Sequence, residues 1–460
     1  MSTSRAAGDR NRRRPTRRPT AAAAPQIVAA PPVRPTVTEA GDAAPAVSFA
    51  ALGVPAPLCA ALARADITVP FPIQAAALPS ALAGRDVLGR GRTGSGKTVA
   101  FAVPLVAALA ASGRRSAPKR PRGLVLVPTR ELATQVSDTI APLAAAAGLR
   151  VVTVMGGVGM GPQVTALRRG VDVVVACPGR LEDLIGQGHC ALDAVHVTVI
   201  DEADHMADLG FLPAVRRILD RTPARTQRLL FSATLDNGID VLVRRYLNDP
   251  VTHSVDSASV PQAAMTHHLL TVSTTDKAAV VRQLAGGQQR SLLFTRTKHG
   301  ARKLARQLAA AGIPAGELHS NLSQGVRARN LAAFGDGSTL VLVATDIAAR
   351  GIHVDDIGIV VHVDPPAEHK AFLHRSGRTA RAGADGTVVT LVTPEQRGDV
   401  HAIARKAGIR PATATVTPGD ARITAIVGPT APLVRARPQV ADRPAPVSRP
   451  RRSRPRRSVA

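Results

Sequence analysis

Short apolar runs alternate along this chain with Ala-rich stretches of helical spacing. The runs "GLVLVPT" (123–129), "RVVTVMGG" (150–157), "VDVVVACPG" (171–179), "VTVIDEA" (197–203) and "RLLFSAT" (228–234) are near-continuous in Val, Leu and Ile. Continuity, rather than alternation with polar residues, predicts strands buried on both faces of a parallel sheet, joined by helical crossovers. A second set follows: "HHLLTVS" (267–273), "SLLFTRT" (291–297), "TLVLVATD" (339–346), "IGIVVHVD" (357–364) and "TVVTLVT" (387–393). Between the sets, "HSVDSASVPQ" (253–262) is aperiodic and reads as a linker. The expectation is an α/β chain with two domains, 47–252 and 263–416. Parallel sheets bind ligands beyond the carboxyl ends of their strands, so the residues that end the runs are the candidates for chemistry.

The flanks behave differently. Residues 1–46 and 417–460 are rich in Arg, Pro and Ala without period, and are expected to be disordered basic arms. The formal charge is +26, and only seven of the 59 basic residues are Lys. Seven Arg stand against one Asp in the first twenty residues, and nine against one in the last thirty. Such arms point to a polyanion, nucleic acid first, with a purely solubilising role as the bland alternative. The N-terminal "RRPT" runs into Pro-broken Ala, without the apolar core of an export signal. No apolar stretch is long enough to predict a membrane span, and the three cysteines, lacking metal-ligand spacing, read as reduced thiols.

The strand ends carry the chemistry. "GRGRTGSGKT" places Gly91 four residues before Gly96, Lys97 and Thr98, between an apolar strand and a helical stretch. This phosphate-loop pattern, which includes Thr93, Gly94 and Ser95, curls backbone N–H groups around phosphate oxygens. Lys97 then meets the β- and γ-phosphates of ATP, and the Thr98 hydroxyl meets Mg²⁺. "VIDEAD" ends another run with Asp201 suited to the metal and Glu202 to activating a water. The hydroxyls of Ser232 and Thr234 in "SAT" suit a relay between sites. In "HRSGRTAR", Arg375, Arg378 and Arg381 are three apart, which predicts one helical face of guanidiniums able to reach a transferring γ-phosphate.

Taken together, "TGSGKT", "PTRELA", "VIDEAD", "SAT", "ATDIAARG" and "HRSGRTAR" resemble the DEAD-box RNA helicases of superfamily two, most like bacterial members of the RhlE type. The resemblance covers the chain from Phe49 to about residue 416. It implies two tandem RecA-like domains with parallel sheets, flanked by the basic arms, and ATP-driven unwinding or remodelling of RNA. In that family pattern Gln74 reads the adenine edge and Phe49 packs on its ring. Asp346 and Gly351 join the interdomain nucleotide site, Arg378 and Arg381 are arginine fingers, and Asp204 and His374 couple to the SAT segment. Pro128, Thr129, Arg130, Gly156, Gly157, Pro178, Gly179 and Arg180 grip one RNA strand from the first domain. Thr297, Gln324, Arg327 and Thr345 grip it from the second. Contacts of this kind go to phosphate and sugar, so binding is expected to be largely independent of sequence.

The resemblance further implies a cytoplasmic monomer acting on single-stranded and structured RNA, in ribosomal precursors or with an RNA-degradation complex, and no membrane. The chain departs from the family pattern at Asp66–Ile67 (usually Gly-aromatic), Phe71 (usually Thr), Cys177 (usually Thr) and His353 (usually Asp). Weaker ATP affinity than in a typical relative is the expectation. Two rival readings are a non-catalytic RNA chaperone on the same fold and a DNA translocase of the same superfamily.

Overall fold

The structure is a computed structural model that describes residues 47–91, 95–234, 237–254, 265–349, 354, 356–380 and 385–434. The expected arm at 1–46, most of the linker and the last residues of the tail lie outside that set.

Near-continuous Val/Leu/Ile runs bury both faces of their strands, and the strands assemble accordingly into two parallel sheets. The first holds β1 (Val87–Arg90), β2 (Gly123–Leu126), β3 (Val151–Val154), β4 (Val173–Ala176), β5 (Val197–Ile200), β6 (Gln227–Ser232) and β7 (Val251–Ser254). The second holds β8 (Met265–Thr271), β9 (Arg290–Phe294), β10 (Ala315–Leu318), β11 (Val341–Ala344), β12 (Ile357–His362), β13 (Gly386–Val392) and β14 (Ala412–Thr415). Their orders are β3-β4-β2-β5-β6-β1-β7 and β10-β11-β9-β12-β13-β8-β14. All ten runs form strands, the apolar strand read before the phosphate loop is β1, and β7, β10 and β14 extend the sheets at positions where the apolar signal is shorter.

Alternate residues of each strand feed two cores. Val125, Val175, Val199 and Phe231 pack on one face of the first sheet, and Leu126, Val174, Ile200 and Leu230 on the other. The second sheet repeats this with Leu293, Val343 and Val361 opposite Leu292, Leu342 and Val360.

Strand order, not chain order, sorts the motifs. In the first lobe β3, β4 and β2 lie side by side and end in "GG", "PGR" and "PTREL". Beside them β5, β6 and β1 end in "DEAD", "SAT" and the phosphate loop. One sheet therefore separates the motifs expected to grip RNA from those expected to hold the nucleotide.

Two expectations change. The tail does not become irregular at 417: the helix Ala421–Val427 buries Ile423 and Val427. Residues 428–434 then lie along the second lobe, with Val434 N donating to Gly312 O at 2.9 Å. The apolar positions of this stretch are too few to show a period, yet enough to fill a gap in the core. Arg375 and Arg378 of "HRSGRTAR" do not share one helical face either, and Arg381 lies outside the described residues. The helix His369–Ser376 stops at Gly377, and the Thr379 hydroxyl donates to Ile357 O, so Arg378 sits in the turn beyond it.

Candidate functional site

The helix Lys97–Ala111 begins directly behind the loop after β1, with Gly96 at its N-cap in the left-handed region, φ +86°. Gly91 N donates to Ser232 O at 3.2 Å, which ties the loop to β6. Lys97 is buried. Its Nζ donates to Gly91 O and to Glu202 Oε1, each at 2.9 Å. Burial pulls its pKa down, but the charges of Glu202, Asp201 and Asp204 outweigh that and hold it above the ordinary value. Ser95 Oγ is buried without a hydrogen-bond partner, as befits a loop that awaits an acceptor. Thr93 and Gly94 lie outside the described residues.

Asp201 and Glu202 follow β5. Glu202 has φ +51°, a conformation that costs a non-Gly residue energy and is retained mainly at functional sites. Its N–H donates to Asp201 Oδ1 at 3.0 Å. Burial, then the charge of Glu202, pushes Asp201 up to about 7. Two buried carboxylates against a single Lys leave the site short of positive charge, and this fits a divalent cation. No group of three or more His, Cys, Asp or Glu able to hold a metal occurs among the described residues. Such a cation would draw most ligands from phosphate and water.

Asp204 connects this pair to β6. Its N–H donates to Ser232 Oγ at 3.2 Å, and its Oδ2 accepts from Thr234 N (3.1 Å) and Thr234 Oγ1 (3.3 Å). The second lobe reaches the same region. His374 Nδ1 lies 3.6 Å from Asp208 Oδ2, and its ring lies 5.9 Å from that of His205. Arg378 is buried and donates through Nε to His374 O at 3.2 Å. Asp346 is held by Arg375 through Nε at 2.5 Å and Nη2 at 2.7 Å. Gly351, His353 and Arg381 lie outside the described residues.

The adenine expectation meets a different arrangement. Phe49 is 4 % exposed and belongs to the core. Gln74 is also buried, with Oε1 accepting from Phe71 N and Nε2 donating to Gly96 O, both at 2.9 Å. Phe71, the departure, is 53 % exposed.

On the other half of the first sheet, helix starts converge. Thr129 caps the helix Arg130–Ala146 by accepting from Leu132 N at 3.3 Å, with Pro128 just before it. Cys177 occupies the N-cap of Pro178–Gly186 without making a side-chain cap. Burial, then the charge of Glu131, pushes its thiol up to about 12, so it stays protonated. Gly157 has φ +77°, and a Cβ there would overlap Arg130 Nη1, so Arg130 lies across Gly156–Gly157. Arg180 Nη1 donates to Val158 O at 3.3 Å, and Gly179 has open space around its Cα. In the second lobe Thr297 caps Lys298–Ala310, and Thr345 O accepts from Ala348 N and Ala349 N. N-terminal helix turns with free N–H groups are ready anion sites.

Gln324 and Arg327 behave otherwise. Gln324 Nε2 and Arg327 Nε donate to Glu131 Oε1 of the first lobe at 3.0 and 2.8 Å. Sequence reasoning assigned Glu131 no role. Its signal was an acid standing in a segment expected to meet phosphates. Asp208 was also missed, although "DEADHMAD" placed a further acid one helical turn after Asp204.

Comparison with known proteins follows the same division. The family description "DEAD/DEAH box helicase" matches residues 71–241, and "Helicase conserved C-terminal domain" matches 276–383. The chain is 36 % identical over 360 residues to the DEAD-box ATP-dependent RNA helicase CshA of Geobacillus kaustophilus, covering 78 % of this chain and 76 % of that one. It is 40 % identical over 374 residues to the chloroplastic DEAD-box ATP-dependent RNA helicase 3A of Zea mays, covering 79 % of this chain and 50 % of the relative. It thus spans about half the length of that maize protein. Among solved structures, S. cerevisiae Dbp5 bound to RNA and ADP BeF3 matches with a TM-score of 0.72 at 25 % identity, over 83 % of this chain and 99 % of that chain.

Proposed function

This chain belongs to the DEAD-box ATP-dependent RNA helicases, and we propose that it couples ATP hydrolysis to local remodelling of RNA by closing two lobes on a single strand. The observation that carries the reading is that the short segment Asp201–Asp204 is tied at one end to the phosphate-loop lysine and at the other to the neighbouring strand. Lys97 holds Glu202, Glu202 N–H holds Asp201, and Asp204 holds Thr234 of the neighbouring strand. Lys97 releases Glu202 as it takes up the β- and γ-phosphates. Glu202 then positions and deprotonates the attacking water. Thr98 and Asp201 would hold Mg²⁺, which when bound neutralises charge on those phosphates. Arg378, with Arg381, meets the γ-phosphate from the second lobe.

RNA lies along the helix starts at Thr129–Arg130, Pro178–Arg180 and Thr297, with Gly156–Gly157 and Thr345 beside them. A strand bent over these points cannot remain in a duplex, so short duplexes part locally. ATP and RNA favour each other because both favour closure. The finer assignments are part of the same proposal: an RhlE-type bacterial helicase, cytoplasmic and monomeric, acting on ribosomal precursors or with a degradation complex. So are the domain limits at 47–252 and 263–416, with 253–262 as linker and the ends as RNA-tethering arms. No described helix is long and apolar enough to cross a membrane.

The test is ATP hydrolysis with and without single-stranded RNA, alongside Glu202→Gln. Hydrolysis that requires RNA and is lost in the variant supports the reading. Tight RNA binding with no hydrolysis would instead favour an RNA chaperone, and equal stimulation by DNA would favour a DNA translocase.

A further inference from the structure

Phe71 is the one exposed Phe among the described residues, and it stands beside the phosphate loop. We propose that the nucleobase of the bound triphosphate stacks on Phe71, and that the site therefore accepts purine nucleotides by their flat faces more than by the adenine edge. This rests on the reading of the Lys97 loop as a nucleoside triphosphate site.

Position comes first. A Cβ on Gly96 would lie 2.9 Å from Phe71 Cδ2 and 2.5 Å from Gln74 Nε2. The ring therefore lies against the last residue before Lys97, at the edge of the proposed triphosphate site. Pro70 and Pro72 flank Phe71 and restrict its backbone, which is extended at φ −67° and ψ 157°. The ring is thus presented to solvent on a backbone with little freedom left to lose on binding.

The alternatives are occupied. Phe49 is sealed in the core with Val54 and Leu58. Gln74 is 1 % exposed and braces the wall, joining Phe71 N to Gly96 O. A primary amide so used retains one N–H and one oxygen lone pair, but at 1 % exposure little surface to offer a base edge. An exposed Phe has the opposite character: an apolar face with no partner, suited to a planar ring. Stacking tolerates any base with a π-face, so adenine and guanine should be held similarly and a smaller pyrimidine less well.

The test is equilibrium competition of ATP, GTP and CTP against a fluorescent ATP analogue on the full chain. Variants Phe71→Thr, Phe71→Tyr and Lys97→Ala are measured beside it. The expected result is ATP and GTP affinities within about threefold of each other, both weakened about tenfold by Phe71→Thr and changed less than about twofold by Phe71→Tyr. Unchanged purine affinity in Phe71→Thr overturns the inference, as does a wild-type preference for ATP over GTP of about a hundredfold. If Lys97→Ala binds every nucleotide normally, the triphosphate site itself is wrongly placed. If Lys97→Ala fails and Phe71→Thr does not, only the stacking role falls.

Discussion

Arg327 Nε lies 2.8 Å from Glu131 Oε1, with both side chains buried, so an ion pair bridges the lobes at the edge of the proposed RNA path. Gln324 adds a second donor to the same oxygen. A buried pair of this kind forms only when the lobes meet, and removing one partner strands the other's charge.

Glu131→Gln is therefore expected to weaken the mutual effect of ATP and RNA without touching nucleotide binding alone. The measure is RNA affinity with and without a non-hydrolysable ATP analogue, with the coupling falling about tenfold in the variant. An unchanged coupling would mean that Arg327 and Gln324 act on RNA directly, as the family pattern alone suggests.

Asp201 gives a pH prediction. Its pKa is raised from 3.8 to about 7, so between those values the folded chain binds more protons than the unfolded chain. Stability of the nucleotide-free protein should rise as pH falls through 7, and Asp204, also raised by burial and then by Glu202, acts in the same direction. Lys97 is raised from 10.5, so its contribution is lost only at higher pH, above this window. Asp201→Asn should raise the melting temperature at pH 8, flatten its change between pH 8 and 6, and abolish hydrolysis. A variant no more stable than the parent at pH 8 would rule out a costly buried charge.

Much of this was legible in the sequence, and the limits are physical. The strands could be read because burial on both faces leaves an unbroken apolar run, as in "VTVI" of β5. The phosphate loop could be read because its ligating groups are local. The Glu131–Arg327 pair could not, because it joins residues 196 apart and depends on how the lobes meet. The burial of Phe49 and the exposure of Phe71 could not be read for a similar reason: spacing fixes neither side chain's surroundings. The helix end at Ser376 was hidden because Arg spacing continues past Gly377, while the Thr379 hydroxyl that fixes the turn bonds a distant carbonyl.

Gly157 tests the proposed grip of the first lobe on RNA. With φ +77° and Arg130 across its Cα, Gly157→Ala should cost about 1–2 kcal/mol in backbone strain and displace the guanidinium. RNA affinity should drop across all sequences, and the salt slope of binding should fall by about one if Arg130 neutralises a phosphate. Loss of stability with an unchanged salt slope would leave Arg130 a structural residue only.

The two arginines of "HRSGR" should separate cleanly. Arg375 makes a bidentate pair with Asp346, donates to Asp364 O at 2.7 Å and stacks over Phe294 at 5.1 Å. Arg375→Ala should cost about 3 kcal/mol of stability, because it leaves Asp346 without its partner. Arg378 donates through Nε to His374 O at 3.2 Å and lines a pit with Asp346 and His374. Arg378→Ala should cut RNA-stimulated hydrolysis about a thousandfold, the scale of an arginine finger, and lower the melting temperature less than Arg375→Ala does. Thermal unfolding and steady-state hydrolysis, measured on both variants, decide the matter. If Arg378→Ala hydrolyses ATP normally while Arg375→Ala folds and does not, the finger is Arg375 and the turn after Ser376 serves only to end the helix.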